Sequence, residues 1–356
     1  IWSAQRKNEE LYWWQNEEFE RAKLTNDPEE EYGLSWSPKG TWISFIRGRG
    51  DLWIIKPDGK EGRELRASWS SPQYDWSPDE KWITLAGSDA DFNRDVFILS
   101  VEKPEQIVNV SLHPDNEYAP AWSPDGKRIA FTGRRVGNET DIYYLNLHAA
   151  DDEVTSRDRK LQAALEQLNK ARGKTPGDPP SSDKDDVGID FEGIHDRLHR
   201  ISIPDASESN LFWSPDSKRL AFTATIGGKE GTYVVTLDTP GPPRMMAPVT
   251  GTHARWIASG NRVLWLSKSI PGILSATGTP ASYTFTVRQA VDQGDRHKAA
   301  FDQCWRTMRD YFYDGQLNHR NWDEVRQKYS GMASEMNKPD GLARVVSLML
   351  GELNGS

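Results

Sequence analysis

Cysteine is almost missing from this sequence. Cys304 stands alone among 356 residues, so no disulfide can form within the chain. A single thiol fits a reducing compartment without excluding an oxidising one. No apolar run approaches the ~18 residues that a membrane-spanning helix needs. The first residues, Ile1 to Lys7, hold no apolar signal core and no initiator Met, and we expect a chain that starts inside a longer sequence. Basic charge is short as well: 44 Lys and Arg stand against 53 Asp and Glu, for a net charge of −9. No local basic cluster offsets that balance, so nucleic acid is not an expected partner, and neither is a membrane. Hydrophobic residues make up only 36%, yet 15 are Trp. An unfolded chain would lack those rings, which points to a folded protein with a core of large aromatics.

The tryptophans recur in register. Trp-Ser-Pro occurs at Trp36, Trp76, Trp122 and Trp213, and a degenerate copy begins at Trp256. The spacings are 40, 46, 91 and 43, the 91 being about two periods with a polar insertion inside it. Seven and nine residues after each Trp come Ile43 and Phe45, Ile83 and Leu85, Ile129 and Phe131, Leu220 and Phe222, Val263 and Trp265. Such alternation predicts a half-buried strand. Nineteen residues after Trp76, Trp122 and Trp213 a second β-rich run begins, at Asp95, Asp141 and Thr232. Ser123-Pro124-Asp125-Gly126 between Trp and strand reads as a type I turn, with Pro setting φ at the second position and Gly relieving the fourth. A period of 40 to 46 residues built from short strands is that of a β-propeller blade. The fold class is therefore mainly β: a propeller of such blades, incomplete at its N-terminus, followed by a small α-helical subdomain. Leu11-Tyr12-Trp13-Trp14 is expected to be a strand of a preceding blade.

Trp122-Ser123-Pro124-Asp125-Gly126-Lys127-Arg128-Ile129-Ala130-Phe131 resembles the blade motif of TolB-type and tricorn-type propellers. Such a motif serves binding, scaffolding and sieving as well as catalysis. The insertion, about 148–188, breaks the repeat. Within it, 157–172 is rich in helix formers, with Leu161, Leu165 and Leu168 on one face. Thr175 to Asp186 is Pro-, Ser- and Asp-rich and should be mobile. Asp190-Phe191-Glu192-Gly193-Ile194 with Arg197 resembles a stretch between blades in tricorn-like chains. His195 and His199 lie four apart and could share a helix face, but no third ligand accompanies them, so they read as surface histidines and no metal or cofactor is expected.

Beyond Arg288 the period shifts to 3.6. Phe301, Trp305, Met308 and Phe312 form one helical stripe, with Cys304 beside it as a buried, inert thiol. Asn321-Trp322-Asp323-Glu324 reads as a capping box ahead of Val325 and Tyr329. Pro339 opens a third helix carrying Leu342, Val345, Val346 and Met349. The boundary falls at 1–288 for the propeller and 289–356 for the helices, the latter too small to stand as a domain alone.

This segment resembles the tricorn protease family more specifically. Phe301-Asp302-Gln303-Cys304-Trp305-Arg306, Arg309-Asp310-Tyr311-Phe312-Tyr313-Asp314, Asn321-Trp322 and Gly351-Glu352-Leu353-Asn354-Gly355-Ser356 fall in that family's order and spacing. The resemblance implies a propeller and helical subdomain leading into a tail-specific-protease-type serine peptidase core. It implies that Ser356 matches the serine that orients the catalytic His, which would follow immediately. A PDZ-like domain, the nucleophilic Ser, its oxyanion-hole amides and an acidic residue would lie further along the same polypeptide. Peptides or unfolded chains would be the substrates, reached through the propeller. A homo-oligomer in the cytoplasm is implied, with the periplasm as the alternative compartment. The competing reading is a TolB-like propeller that acts as a non-catalytic protein-binding module.

Overall fold

The computed structural model describes residues 2–6, 19–27, 29–88, 92–153, 187–237, 241–257, 261–275, 278–286, 292–336 and 338–354. Strands β1 (Trp2–Arg6) and β2 (Phe19–Lys23) pair as an antiparallel hairpin. Five four-stranded antiparallel sheets follow among the described residues, in a five-blade propeller arrangement. The first holds β3 (Glu31–Trp36), β4 (Ile43–Arg47), β5 (Asp51–Ile55) and β6 (Arg63–Arg66). The second holds β7 (Gln73–Trp76), β8 (Trp82–Ser88), β9 (Arg94–Ser100) and β10 (Ile107–Asn109). The third holds β11 (Glu117–Trp122), β12 (Arg128–Gly133), β13 (Asp141–Asn146) and β14 (Leu198–Ile201). The fourth holds β15 (Ser209–Trp213), β16 (Arg219–Ile226), β17 (Lys229–Thr236) and β18 (Arg244–Ala247). The fifth holds β19 (Thr252–Ile257), β20 (Arg262–Ser267), β21 (Ile270–Leu274) and β22 (Pro280–Ser282). The insertion enters the third blade after β13 through a short helix, α1 (Ala149–Glu153), and returns ahead of β14. The helix expected at 157–172 and the strand expected at 11–14 fall outside the described residues.

The motif strands are buried more thoroughly than the alternation predicts. Ile83, Leu85, Ile129, Phe131, Leu220 and Phe222 are buried as expected, but so are the intervening Thr84, Ala86, Ala130 and Ala221. A blade has a neighbour against each face, so its second strand has no solvent side, and small residues fill the face that alternation assigned to water.

The Trp-Ser-Pro turns earn their recurrence through the serine. Ser77, Ser123 and Ser214 are buried. Each hydroxyl accepts from the backbone N–H five residues on, Trp82, Arg128 and Arg219, at 2.9, 2.9 and 3.0 Å. Each donates to the Asp two residues on, at 2.5, 2.6 and 2.5 Å. The expected turn closes from Gly126 N–H to Ser123 O at 2.9 Å, with Gly126 at φ 74°. Where the fourth turn residue is not Gly, the left-handed backbone is kept and the side chain reaches the preceding blade. Glu80 (φ 66°) accepts from Lys39 N–H at 2.5 Å, and Ser217 (φ 57°) accepts from Asp125 N–H at 2.9 Å.

The chain divides into two compact units, one of 1–34, 45–51 and 285–356 and the other of 35–44 and 52–284. The first unit contains α2 (Gln293–Tyr311), α3 (Trp322–Glu335) and α4 (Pro339–Gly351). Phe301, Trp305, Trp322, Val325, Tyr329, Val345 and Met349 make its core, with Cys304, Met308, Phe312, Leu342 and Val346 packed against them. Trp305 Nε1 donates to Trp322 O at 2.8 Å, and Trp322 Nε1 returns the bond to Trp305 O at 3.0 Å. Asn321 caps α3 by accepting from Glu324 N–H. Within the same unit, Gln303 Nε2 donates to Glu30 at 3.1 Å and the Arg49 guanidinium to Asp310 O.

Candidate functional site

The chain's closing segment is the candidate site, because Ser356 was expected to serve the catalytic base. Gly355 and Ser356 themselves lie outside the described residues. What the structure places is the turn that leads to them. Glu352, just past α4, accepts from Lys328 Nζ at 2.6 Å and from Tyr329 Oη at 2.7 Å. The Lys328 bond, then that of Tyr329, holds the Glu352 carboxyl below the usual carboxylate range. Leu353 is buried, and its carbonyl accepts from Asn318 Nδ2 at 2.6 Å. With its amide oxygen toward Arg320, Asn354 accepts from Arg320 Nη2 at 2.7 Å and donates to Gly351 O at 3.1 Å.

Asn318 reaches this turn from an unusual backbone. Leu317, Asn318 and His319 have φ of 51°, 52° and 57°, three successive non-glycine residues in the left-handed region, and Asn354 has φ 48°. Each such residue costs on the order of 1–3 kcal/mol unless its surroundings enforce it. Burial of Leu317 and the Asn318–Leu353 bond do the enforcing here. Helical periodicity gave no sign of this, since the segment lies between helices; the Leu-Asn-His triplet carries no glycine to announce it.

In the propeller unit, a cavity of about 1070 Å³ opens beside the Trp-Ser-Pro turns of the second, third and fourth blades. Pro78, Pro124 and Pro215 contribute to its wall together with Lys127, His148 and Asp190. The stem of the insertion forms one side. Val187 N–H donates to Asp79 Oδ2 at 2.9 Å, and Ala149 N–H to Asp190 Oδ2 at 2.9 Å. The Asp190–Arg197 stretch closes on itself through Arg197, whose guanidinium donates to the carbonyls of Asn146 (3.1 Å), Glu192 (3.3 Å) and Asp190.

His195 and His199 do not share a helix face. His195 sits in a 3₁₀ turn with Nδ1 3.2 Å from Val110 O. His199 lies on β14, stacked on Tyr144, with Nε2 2.5 Å from Asp152 Oδ1. Among the described residues no group of three His, Cys, Asp or Glu side chains could hold a metal ion.

Sequence reading missed a repeated pair of buried acids. Asp95 and Asp141 lie at the beginning of the third strands of the second and third blades, second and first in their strands; Glu117 and Glu208 precede the motif Trp of the next blade by five residues. All four are buried. The signal was present as a fixed register, Asp at +19 and Glu at −5, but acidic residues at strand ends read as solvent-facing until burial is seen.

Together the fold and site define a β-propeller protein extended by a helical subdomain whose final turn is tied down by side chains of α3 and of the segment before it. Comparison with known proteins then narrows the class. Residues 295–351 match the tricorn protease C1 domain family. Tricorn protease homolog 1 of Streptomyces coelicolor is 23% identical over 91% of this chain, which spans about a third (33%) of that relative's length. The crystal structure of the tricorn protease superposes on 96% of this chain with a TM-score of 0.65 at 12% identity, using 34% of its own length. The structure assigned as TolB from Agrobacterium tumefaciens covers 74% of this chain and 83% of its own, with a TM-score of 0.51 at 14% identity. The chain is thus similar to the propeller and helical portion of a tricorn-type protein, with the C1 match confined to 295–351.

Proposed function

We propose that this chain belongs to a serine peptidase that hydrolyses peptides and unfolded polypeptides, and that the propeller guides or sieves substrate toward an active site built by the rest of the polypeptide. The observation that carries this reading is the C1 match at 295–351 directly after the propeller, in the order found in the tricorn protease. The nucleophile and its base would come from the two thirds of such a relative that this chain does not span. In that setting Ser356 orients the catalytic imidazole. The bonds from Asn318, Arg320, Lys328 and Tyr329 fix the backbone that delivers it, so that the base is positioned before substrate arrives. Self-association into an enclosing cytoplasmic assembly belongs to the same proposal.

The test is made on the full-length protein with fluorogenic peptides. Turnover should be abolished by a serine-directed covalent reagent and unmoved by a chelator. Ser356→Ala should lower kcat by about 10- to 1,000-fold with little change in KM or melting temperature, because an orienting partner acts only as the transition state forms. Full activity in that variant removes Ser356 from the mechanism. Chelator-sensitive turnover overturns the serine assignment.

A second reading is favoured by one observation: the TolB-assigned structure is covered over most of its own length. A non-catalytic binding module would give no turnover in the same assay and no labelling by the serine reagent.

A further inference from the structure

The two repeated acid pairs close successive joints between blades, and they are not equally provided for. At the joint of the second and third blades, Ser111 Oγ donates to Asp95 Oδ1 at 2.8 Å and lies 3.3 Å from Glu117 Oε2. Asn109 Nδ2 and His113 N–H donate to Asp95 at 2.7 and 3.2 Å. Arg135 Nε donates to Glu117 Oε1 at 2.9 Å. At the joint of the third and fourth blades, Arg200 takes the register position of Asn109, and its Nη2 lies 2.9 Å from Asp141 Oδ2. Glu208 N–H donates to Thr140 O at 2.9 Å. Asp141 is held by the Arg200 ion pair alone, with no hydrogen bond to either oxygen. The Glu208 carboxyl, by contrast, is 2% exposed, and its oxygens have neither a hydrogen bond nor an ion pair among the described residues. The position that would supply its cation, thirteen residues after the motif Trp, is Arg135 in the third blade and Ile226 in the fourth.

A buried carboxylate with no donor is far costlier than the same group carrying a proton. One guanidinium cannot neutralise two carboxylates at this joint, and Arg200 is spent on Asp141. We propose that Glu208 is a neutral carboxylic acid in the folded propeller at neutral pH, so that a proton, in the place Arg135 fills one blade earlier, holds the third and fourth blades together. The charged groups acting on it agree: burial first, then Asp141 on β13 and Glu139 just before it, raise its pKa to about 8, and only Arg200 on β14 opposes. At the earlier joint burial and Asp95 push Glu117 up to about 8 as well, against the pull of Arg135. The two acids therefore differ in their bonds: Glu117 has a bonded cation and Glu208 has none.

A glutamic acid of ordinary pKa 4.5 in the unfolded chain and about 8 in the fold contributes stability that is fully present below the lower value. It is lost as pH rises through the upper one. In this chain, Glu208→Gln keeps the shape without the charge. The melting-temperature difference, variant minus wild type, should widen by several degrees between about pH 5 and about pH 8 and then level off. Folding of wild type at neutral pH should bind one more proton than folding of the variant. Glu117→Gln should instead destabilise at every pH, because it strands Arg135. The infrared carbonyl band of a protonated carboxylic acid should be present in wild type at neutral pH, fade on raising it, and be weaker in Glu208→Gln. That difference separates Glu208 from Glu117, which is also pushed up to about 8. A melting-temperature difference between wild type and Glu208→Gln that does not change with pH, or an acid band at neutral pH that Glu208→Gln leaves unchanged, overturns the proposal. So does a melting temperature that a chelator lowers in wild type but not in Glu208→Gln, which would put a metal ion where the proton is placed.

Discussion

The indole N–H groups of the propeller unit and of the helical unit are used in opposite ways. In two of the blades the motif indole points backward along the repeat: Trp76 Nε1 donates to Ser44 Oγ at 2.9 Å and Trp213 Nε1 to Ala121 O at 3.0 Å, each in the preceding blade. Trp256 Nε1 stays within its own blade, on Asn261 Oδ1. In the helices, Trp305 and Trp322 exchange bonds with each other's carbonyl. A repeat makes one joint and copies it, so breaking one copy leaves the others in place. The helical core has a single exchange, and each half supports the other.

The largest effect is therefore expected in the helices. Trp322→Ala removes a buried ring, the donor to Trp305 O and part of the core under α3, and should cost on the order of 3–5 kcal/mol. A double-mutant cycle with Trp305→Ala should show coupling of about 0.5–3 kcal/mol, because the second substitution finds its partner already gone. Additive losses measured by denaturant unfolding would mean that the reciprocal bonds do not support one another.

Within the blades the motif can be dissected by Trp→Phe. At Trp213 the change leaves Ala121 O short of a donor in the core and should cost about 1 kcal/mol beyond the loss of ring size. Trp122 Nε1 is buried without a partner, so Trp122→Phe relieves an unpaired donor and should be milder by a similar amount. What Trp122 does hold is backbone: its N–H donates to Asp75 Oδ2 of the preceding blade at 2.8 Å. Equal costs at the two positions would refute the backward-pointing indole as a source of cohesion.

These positions also mark how far the sequence could be read. The strand core was legible because Ile129 and Phe131, or Leu220 and Phe222, keep their distance from a landmark Trp in every copy. The helical stripe was legible from 3.6-residue spacing, and Trp322, Val325 and Tyr329 are buried as that spacing requires. Long-range exchange escaped it: periodicity places Trp305 and Trp322 on inward faces without saying that they are each other's partners. The left-handed run at Leu317–His319 escaped it as well, since no glycine marks the place. Glu117 and Glu208 were hidden by chemistry, because a carboxyl is assigned to solvent until a joint is seen to close over it. The candidate site was legible only through family resemblance: nothing in the periodicity of α4 distinguishes Ser356 from an ordinary serine past a helix end.

The smallest effect is expected where the motif is intact and the burial is not. Trp36 opens the same Trp-Ser-Pro turn as its counterparts, and Ser37 is buried and bonded to Trp42 N–H at 2.9 Å like the other motif serines. The ring itself is 59% exposed, against 4% for Trp76, 5% for Trp122 and 6% for Trp213. If the motif stabilises through the ring, cost must follow burial and not sequence, so Trp36→Ala should change the unfolding free energy of this chain by about 0.5 kcal/mol or less. The same substitution at Trp213 should cost roughly 3–5 kcal/mol. A loss at Trp36 as large as at Trp213 would mean that the ring is covered in solution. In that case the melting temperature should rise with protein concentration in wild type and not in Trp36→Ala, since a copy of the chain would be the cover. A large loss that is independent of concentration would instead show that the motif Trp acts through its turn, and would break the link between ring burial and blade cohesion on which the comparison rests.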